Sequence, residues 1–167
     1  MKLPATAILL GVGGLIPFAV CGFLAVATVD PFSTTWLLAL IFCGAVILSF
    51  LGGVHWGLAL SDARTGLAPE TGEQNRLRFG LGVLPSLIGW AAAFATVAIG
   101  PEVALAVLIG GFTATLITET RLQRRALLPP GYLWLRWGLS LAVIAVLVAV
   151  LVLRLTGEHI GSGLASG

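Results

Sequence analysis

The sequence predicts an all-α, polytopic membrane protein with five transmembrane helices. Hydrophobic residues make up 58% of the 167 residues and charged residues 10%, whereas soluble domains average about 25% charged residues. The mean hydropathy is +1.06. Five apolar stretches reach the length of about 20 helical residues that crosses about 30 Å of hydrocarbon. They are Leu3–Thr28, Thr34–Ser61, Gly80–Ile99, Glu102–Thr120 and Tyr132–Leu153.

Proline-containing turns join the first four stretches in pairs. Asp30-Pro31 and Gly100-Pro101 predict tight turns, because proline is tolerated in the first turn of a helix. These turns form two hairpins, which resemble each other at Gly14–Pro17 and Gly82–Pro85 and so suggest a parallel repeat, followed by a fifth helix. Pro17 lies inside its stretch and is expected to kink the helix.

The basic residues predict the orientation. With five spans, eight of the nine Lys and Arg residues fall on the side of the amino terminus, and only Arg154 falls on the other. The eight are Lys2, Arg64, Arg76, Arg78, Arg121, Arg124, Arg125 and Arg136. Because Lys and Arg accumulate on the cytoplasmic side, the amino terminus is predicted to be cytoplasmic and the carboxy terminus external. Residues 1–155 are predicted to form a single transmembrane domain, and the Gly- and Ser-rich residues 156–167 a flexible external tail.

Small side chains predict which helices pack closely. Ladders of small residues recur every four positions on the second and fourth stretches, and in lipid such ladders let helix backbones approach each other. The predicted packing residues are Ala45, Ser49, Gly52, Gly53 and Gly57 on the second stretch and Gly110 and Ala114 on the fourth. The second helix is therefore expected to be central, with the fourth as its partner, and Gly53 should tolerate leucine less well than Val54.

His55, Trp56 and Glu119 are the candidate site residues. His55 is the titratable residue placed clearly within a span, where a neutral imidazole needs a hydrogen-bond partner. Three roles stay open for it: a structural hydrogen bond, a place at a small-molecule or proton site, and axial ligation of a tetrapyrrole metal. Glu119 ends the fourth stretch at a similar depth and is expected to pair with a flanking arginine, such as Arg76, Arg78, Arg121, Arg124 or Arg125. A contact with His55 would instead make an intramembrane acid–base pair.

The sequence offers no motif for catalysis or metal binding. It has no HExxH or CxxC motif and no Gly-rich phosphate loop that follows a strand. Cys21 and Cys43 are interpreted as small buried hydrophobic residues. The basic residues flank membrane spans instead of covering one face of a folded domain, which argues against nucleic-acid binding. We therefore expect no enzymatic activity, no metal and no nucleic-acid partner.

One stretch of the second helix resembles a known family signature. Gly44–Ala59 contains Ser-Phe-Leu-Gly-Gly-x-x-Trp-Gly, and it resembles the signature of an uncharacterised bacterial and mitochondrial family that includes transmembrane protein 69. Gly-Leu-Ile-Pro-Phe at Gly14–Phe18 is similar as well. The resemblance implies five membrane helices in a bacterial cytoplasmic (inner) or mitochondrial membrane, and it implies no activity.

Two functions of different classes are expected. The first is a small non-enzymatic accessory subunit or assembly factor of a larger, energy-transducing membrane complex, since the small-residue ladders exceed what one hairpin needs. The second is binding or transport of a small hydrophobic ligand, such as a tetrapyrrole, quinone or lipid, near His55, Trp56 and Glu119. The expected partners are the lipid bilayer and other integral membrane proteins.

Overall fold

All the secondary-structure elements in the described part of the chain are helices. The computed structural model describes residues 5–65, 72–123 and 132–157. The helices are α1 (Ala5–Gly13), α2 (Leu15–Ala27), α3 (Phe32–Thr65), α4 (Gly72–Ala98), α5 (Pro101–Gln123) and α6 (Tyr132–Thr156). Five segments are long and apolar enough to cross a membrane, namely Ile8–Ala27, Phe32–Gly57, Phe79–Ala98, Pro101–Arg121 and Trp134–Thr156. The predicted all-α fold with five candidate spans is thereby confirmed. Residues 158–167 of the predicted tail lie outside the described residues.

The first span is divided into two helices at Gly14. α2 begins at Leu15, so Pro17 lies in its first turn, where a missing N–H costs little. The helix is therefore interrupted at Gly14, three residues before Pro17, where the kink was expected. α4 instead continues through Pro85 without a break. The two similar Gly…Pro motifs thus differ in backbone form.

Both predicted turns lie between helices. At the first, the Asp30 carboxylate accepts a hydrogen bond from the Thr34 hydroxyl at 2.6 Å and from the Thr34 N–H at 3.3 Å, which satisfies a donor at the start of α3. At the second, Gly100 has a φ of 153°, a conformation that favours glycine, and α5 begins at the next residue, Pro101.

The spans pack in a ring with α3 and α5 also in contact across its centre. α3 packs against α2, α4 and α5, and α6 packs against α1, α2 and α5. The core between them is apolar and includes Phe18, Leu40, Leu48, Leu108, Phe112 and Leu147. The second span is thus central, but the expected pairing with the fourth span is corrected: α3 packs most extensively against α4, the third span, and makes a smaller contact with α5.

Close backbone contacts join α3 to α4. Gly52 of α3 is buried, and a Cβ atom added to it would overlap the carbonyl oxygen of Gly82 on α4. A Cβ on Gly89 would lie 2.8 Å from the Ala45 carbonyl oxygen and 3.3 Å from the Ser49 hydroxyl oxygen. The main chains of the two helices therefore meet along one face that carries Ala45, Ser49 and Gly52.

The other predicted packing glycines lie elsewhere. Gly53, Gly57 and Gly110 are exposed, and among the described residues no atom lies within 4 Å of a Cβ built on any of them. Ala114 is also exposed. The prediction that these residues mediate packing within the bundle is wrong for the described chain, because successive helical residues point about 100° apart and α3 turns Gly52 toward α4. A bulky side chain is therefore expected to destabilise the bundle at Gly52 and not at Gly53.

Candidate functional site

Three polar side chains from different helices meet inside the bundle. His55 belongs to α3, Glu119 to α5 and Arg136 to α6, and their exposed fractions are 3%, 0% and 6%. Each residue lies two positions inside one end of its span, because these spans end at Gly57 and Arg121 and begin at Trp134. The antiparallel course of the helices brings these three ends to the same side. We call His55, Glu119 and Arg136 the buried cluster.

The Glu119 carboxylate is the centre of the buried cluster. Arg136 Nε donates a hydrogen bond to Oε2 at 2.7 Å, and its Nη2 donates to Oε1 at 3.0 Å. Nε2 of His55 lies 3.3 Å from Oε1. A two-pronged arginine–carboxylate pair is among the stronger polar contacts in proteins. Charges within membrane spans face the bundle interior and pair with one another, and this pair does both.

The partner expected for Glu119 was a flanking arginine, and that expectation is corrected. Arg136, on another helix, is the arginine that binds its carboxylate. The alternative contact with His55 is present in the structure. Arg136 was counted only as an orientation signal, although it lies inside an apolar stretch between Trp134 and Trp137. Its position within a span was the signal that could have identified it.

Trp56 lies outside the buried cluster. Its indole N–H donates to the carbonyl oxygen of Phe79 on α4 at 3.1 Å, and its ring makes an edge-to-face contact with the ring of Phe79. The side chain is about half exposed and lies against Gly82. Trp56 therefore connects α3 to α4 through a hydrogen bond and a ring contact.

A small cavity reaches His55 from the α4 side. Its volume is about 80 Å³, and its lining includes Pro85, Thr115 and Thr118. The hydroxyls of Thr115 and Thr118 donate to main-chain carbonyls one turn earlier in α5. Nε2 of His55 faces Glu119, so binding a tetrapyrrole metal through this nitrogen would require breaking that contact. Axial ligation by His55 stays a prediction from the sequence.

A larger apolar cleft reaches Arg136 from the opposite side. It has a volume of about 160 Å³ and lies between α1, α2, α3, α5 and α6. Leu10 and Phe50 line it and are 78% and 71% exposed on the outside of the bundle. The cleft therefore opens sideways, on the outer face of the bundle. Its polar lining residues are Arg136 and Ser140.

Ser140 has a buried hydroxyl without a hydrogen-bond partner in the described part of the chain. It is 3% exposed and lies one helical turn after Arg136. Most other hydroxyls in the spans donate to carbonyl oxygens one turn earlier, as Ser49 does to Ala45, and the buried Ser33 donates to Ala25 of α2. Buried polar groups are nearly always hydrogen-bonded, so an unpaired one requires an explanation.

Comparison with known proteins places the chain in a family. Residues 3–152 match the family described as Protein of unknown function (DUF3429). The chain belongs to this family. No curated protein and no solved structure matches it. The narrower resemblance to transmembrane protein 69 stays a prediction from Gly44–Ala59.

The chemistry available at the site of this DUF3429 protein is hydrogen-bond donation into an apolar cleft. A guanidinium group has five N–H donors, and Glu119 accepts two hydrogen bonds from Arg136. The remaining donors of Arg136 have no acceptor among the residues that the structure describes. No group of three or more His, Cys, Asp and Glu residues that could hold a metal ion occurs within the described ranges.

Proposed function

We propose that this protein binds a small lipid-soluble molecule in the cleft, with the polar head of that molecule against Arg136 and Ser140. The observation that carries the proposal concerns Ser140, a residue of the cleft wall whose buried hydroxyl is unpaired among the described residues. A buried polar group without a partner costs about 1–3 kcal/mol. An acceptor on a bound molecule would remove this cost. The role is binding or transport, with no chemical change of the ligand.

The proposed setting is a bacterial cytoplasmic membrane with the amino terminus on the cytoplasmic side. Five candidate spans support a multi-pass protein, and the distribution of Lys and Arg supports this orientation. His55, Glu119 and Arg136 then lie near the cytoplasmic ends of their spans. The ligand would enter the cleft from the inner leaflet, between Leu10 and Phe50.

A pair of neighbouring glycines provides the experiment. Gly14 lines the cleft and has helical backbone angles, φ −64° and ψ −19°. Gly13 is not part of the cleft lining, and no described atom lies within 4 Å of a Cβ built on it. We expect Gly14→Leu to occupy the cleft and Gly13→Leu to leave it open. The wild type and both variants are purified in mild detergent and extracted, and mass spectrometry compares the small molecules that remain bound.

The expected result is a molecule retained by the wild type and by Gly13→Leu and absent from Gly14→Leu. Membrane yield and helical content by circular dichroism serve as folding controls. Equal retention by both variants, or no retained molecule in the wild type, would contradict binding in this cleft.

The second candidate is the accessory subunit or assembly factor of a larger membrane complex. The observation that favours it is the exposure of Gly53, Gly57 and Gly110, since small residues on an outer helix face allow another helix to approach closely. Purification from native membranes in mild detergent tests it. A stoichiometric partner that is lost in Gly57→Leu supports this role, and migration of the protein alone rejects it.

A further inference from the structure

We infer, on the basis of the proposed function, that the ligand head is an uncharged ring with carbonyl oxygens, of the quinone or cyclic ketone class. Three properties of the cleft support this class: the direction of its hydrogen bonds, the charge balance behind its polar wall and its volume. Each excludes a different kind of head.

The polar wall of the cleft offers donors. Arg136 can only donate, and the unpaired Ser140 hydroxyl can also donate. The Glu119 oxygens already face Arg136 and His55, at 2.7, 3.0 and 3.3 Å. An ammonium head has only N–H donors, and of Arg136 and Ser140 only the Ser140 hydroxyl could accept a hydrogen bond from it. A carbonyl oxygen accepts from both Arg136 and Ser140.

The charge of the wall is already balanced. The Arg136 guanidinium and the Glu119 carboxylate are in direct contact and almost fully buried, so together they carry no net charge. A carboxylate or phosphate head beside them would add a buried negative charge close to Glu119. Burying a charge without compensation is strongly unfavourable. A neutral acceptor avoids this penalty.

The volume of the cleft matches one ring. The cleft is open on one side and has a volume of about 160 Å³, and an apolar protein cavity of about 150 Å³ is known to hold benzene. One ring therefore fits within the cleft, whereas the four linked rings of a tetrapyrrole would extend beyond its opening. A hydrocarbon tail on the ring would leave through the opening between Leu10 and Phe50 and lie in the lipid.

Competition binding tests the ligand class. The probe is a benzoquinone with a short alkyl chain, whose binding to the protein in lipid nanodiscs is followed by quenching of tryptophan fluorescence. The competitors are an alkylbenzene and a fatty acid with chains of the same length. The alkylbenzene has no acceptor and the ionised fatty acid carries a negative charge, so we expect each to bind about tenfold or more weakly than the quinone.

Ser140→Ala tests whether the head is recognised as described. We expect Ser140→Ala to weaken quinone binding by about two- to tenfold, which is the effect of one hydrogen bond. The affinity for the alkylbenzene should stay unchanged. Ser86→Ala is the matched control, because Ser86 is a half-buried serine of α4 outside the cleft. Infrared spectra of the bound quinone should show its carbonyl band shifted to lower frequency in the wild type and less shifted in Ser140→Ala.

The outcomes separate the ligand class from the proposed function. Tighter binding of the fatty acid, equal affinities for all three compounds, or no effect of Ser140→Ala overturns the quinone-class inference. Absence of quinone binding overturns it as well, while another molecule retained in the extraction experiment would leave the proposed function standing. If Gly14→Leu binds the quinone as well as Gly13→Leu does, the cleft is not the site and both proposals fail.

Discussion

Removing the arginine of the buried cluster should be one of the most damaging single changes to this protein. Arg136→Met keeps an unbranched apolar stem but removes both hydrogen bonds to Glu119, at 2.7 and 3.0 Å. The carboxylate is 0% exposed and keeps only the His55 contact at 3.3 Å. Leaving one charge of a buried pair without its partner typically costs about 3–5 kcal/mol. We expect a loss of this size in the free energy of unfolding.

Another ion pair between described residues provides the control. Arg154 Nε lies 3.2 Å from the Glu102 carboxylate, and the two side chains are 20% and 38% exposed. Partly solvated pairs contribute about 1 kcal/mol or less. Arg154→Met makes the same chemical change and should therefore cost no more than this.

A double variant separates the effect of charge from the effect of lost packing. In Arg136→Met with Glu119→Gln, the buried negative charge is absent, and the amide oxygen of the introduced glutamine can still accept a hydrogen bond from His55. We expect the double variant to recover about 2 kcal/mol or more of the loss. Unfolding by sodium dodecyl sulfate in mixed micelles, followed by circular dichroism, measures all four proteins. Equal losses in the Arg136 and Arg154 variants, or no recovery in the double variant, would refute this reasoning.

Two further predictions concern packing and orientation. Gly52→Ala should lower the free energy of unfolding by about 1–3 kcal/mol, because its Cβ would overlap the main chain of α4, whereas Gly53→Ala should leave it unchanged or raise it by up to about 1 kcal/mol, because alanine is the better helix former. The same unfolding titration compares the two, and similar losses would contradict the assigned faces. In a cysteine-free chain, Asp30→Cys should react with a membrane-impermeant maleimide on intact cells, and Arg121→Cys should react only after lysis. The reverse pattern would show that the orientation is inverted.

The sequence was sufficient to predict the spans but insufficient to predict the side-chain contacts. Mean hydropathy and length depend only on local composition, so the five spans and the two turns could be located directly. Gly52 and Gly53 are adjacent and chemically identical. Which of them meets a neighbouring helix depends on the rotation of α3 in the bundle, and that rotation is set by the neighbouring helices.

The candidate site shows the same limit. His55 and Glu119 were recognised as intramembrane polar residues, and their contact was one of the alternatives. Arg136 entered the prediction only as one of the basic residues that indicate the orientation, because sequence alone does not show that its side chain turns toward Glu119. The sequence could not predict that the Ser140 hydroxyl has no hydrogen-bond partner among the described residues, because most hydroxyls in these helices donate to a carbonyl oxygen one turn earlier.

The two ion pairs also bear on how the chain enters the bilayer during synthesis. Both connect α5 to α6, at opposite ends of the two helices. Glu119 precedes Arg136 by 17 residues, so it reaches the bilayer before its cation does. An unpaired acidic residue opposes insertion by up to about 2.5–3.5 kcal/mol at the centre of a helix. α5 and α6 should therefore partition into the membrane together, as a helical hairpin whose charges neutralise each other on entry.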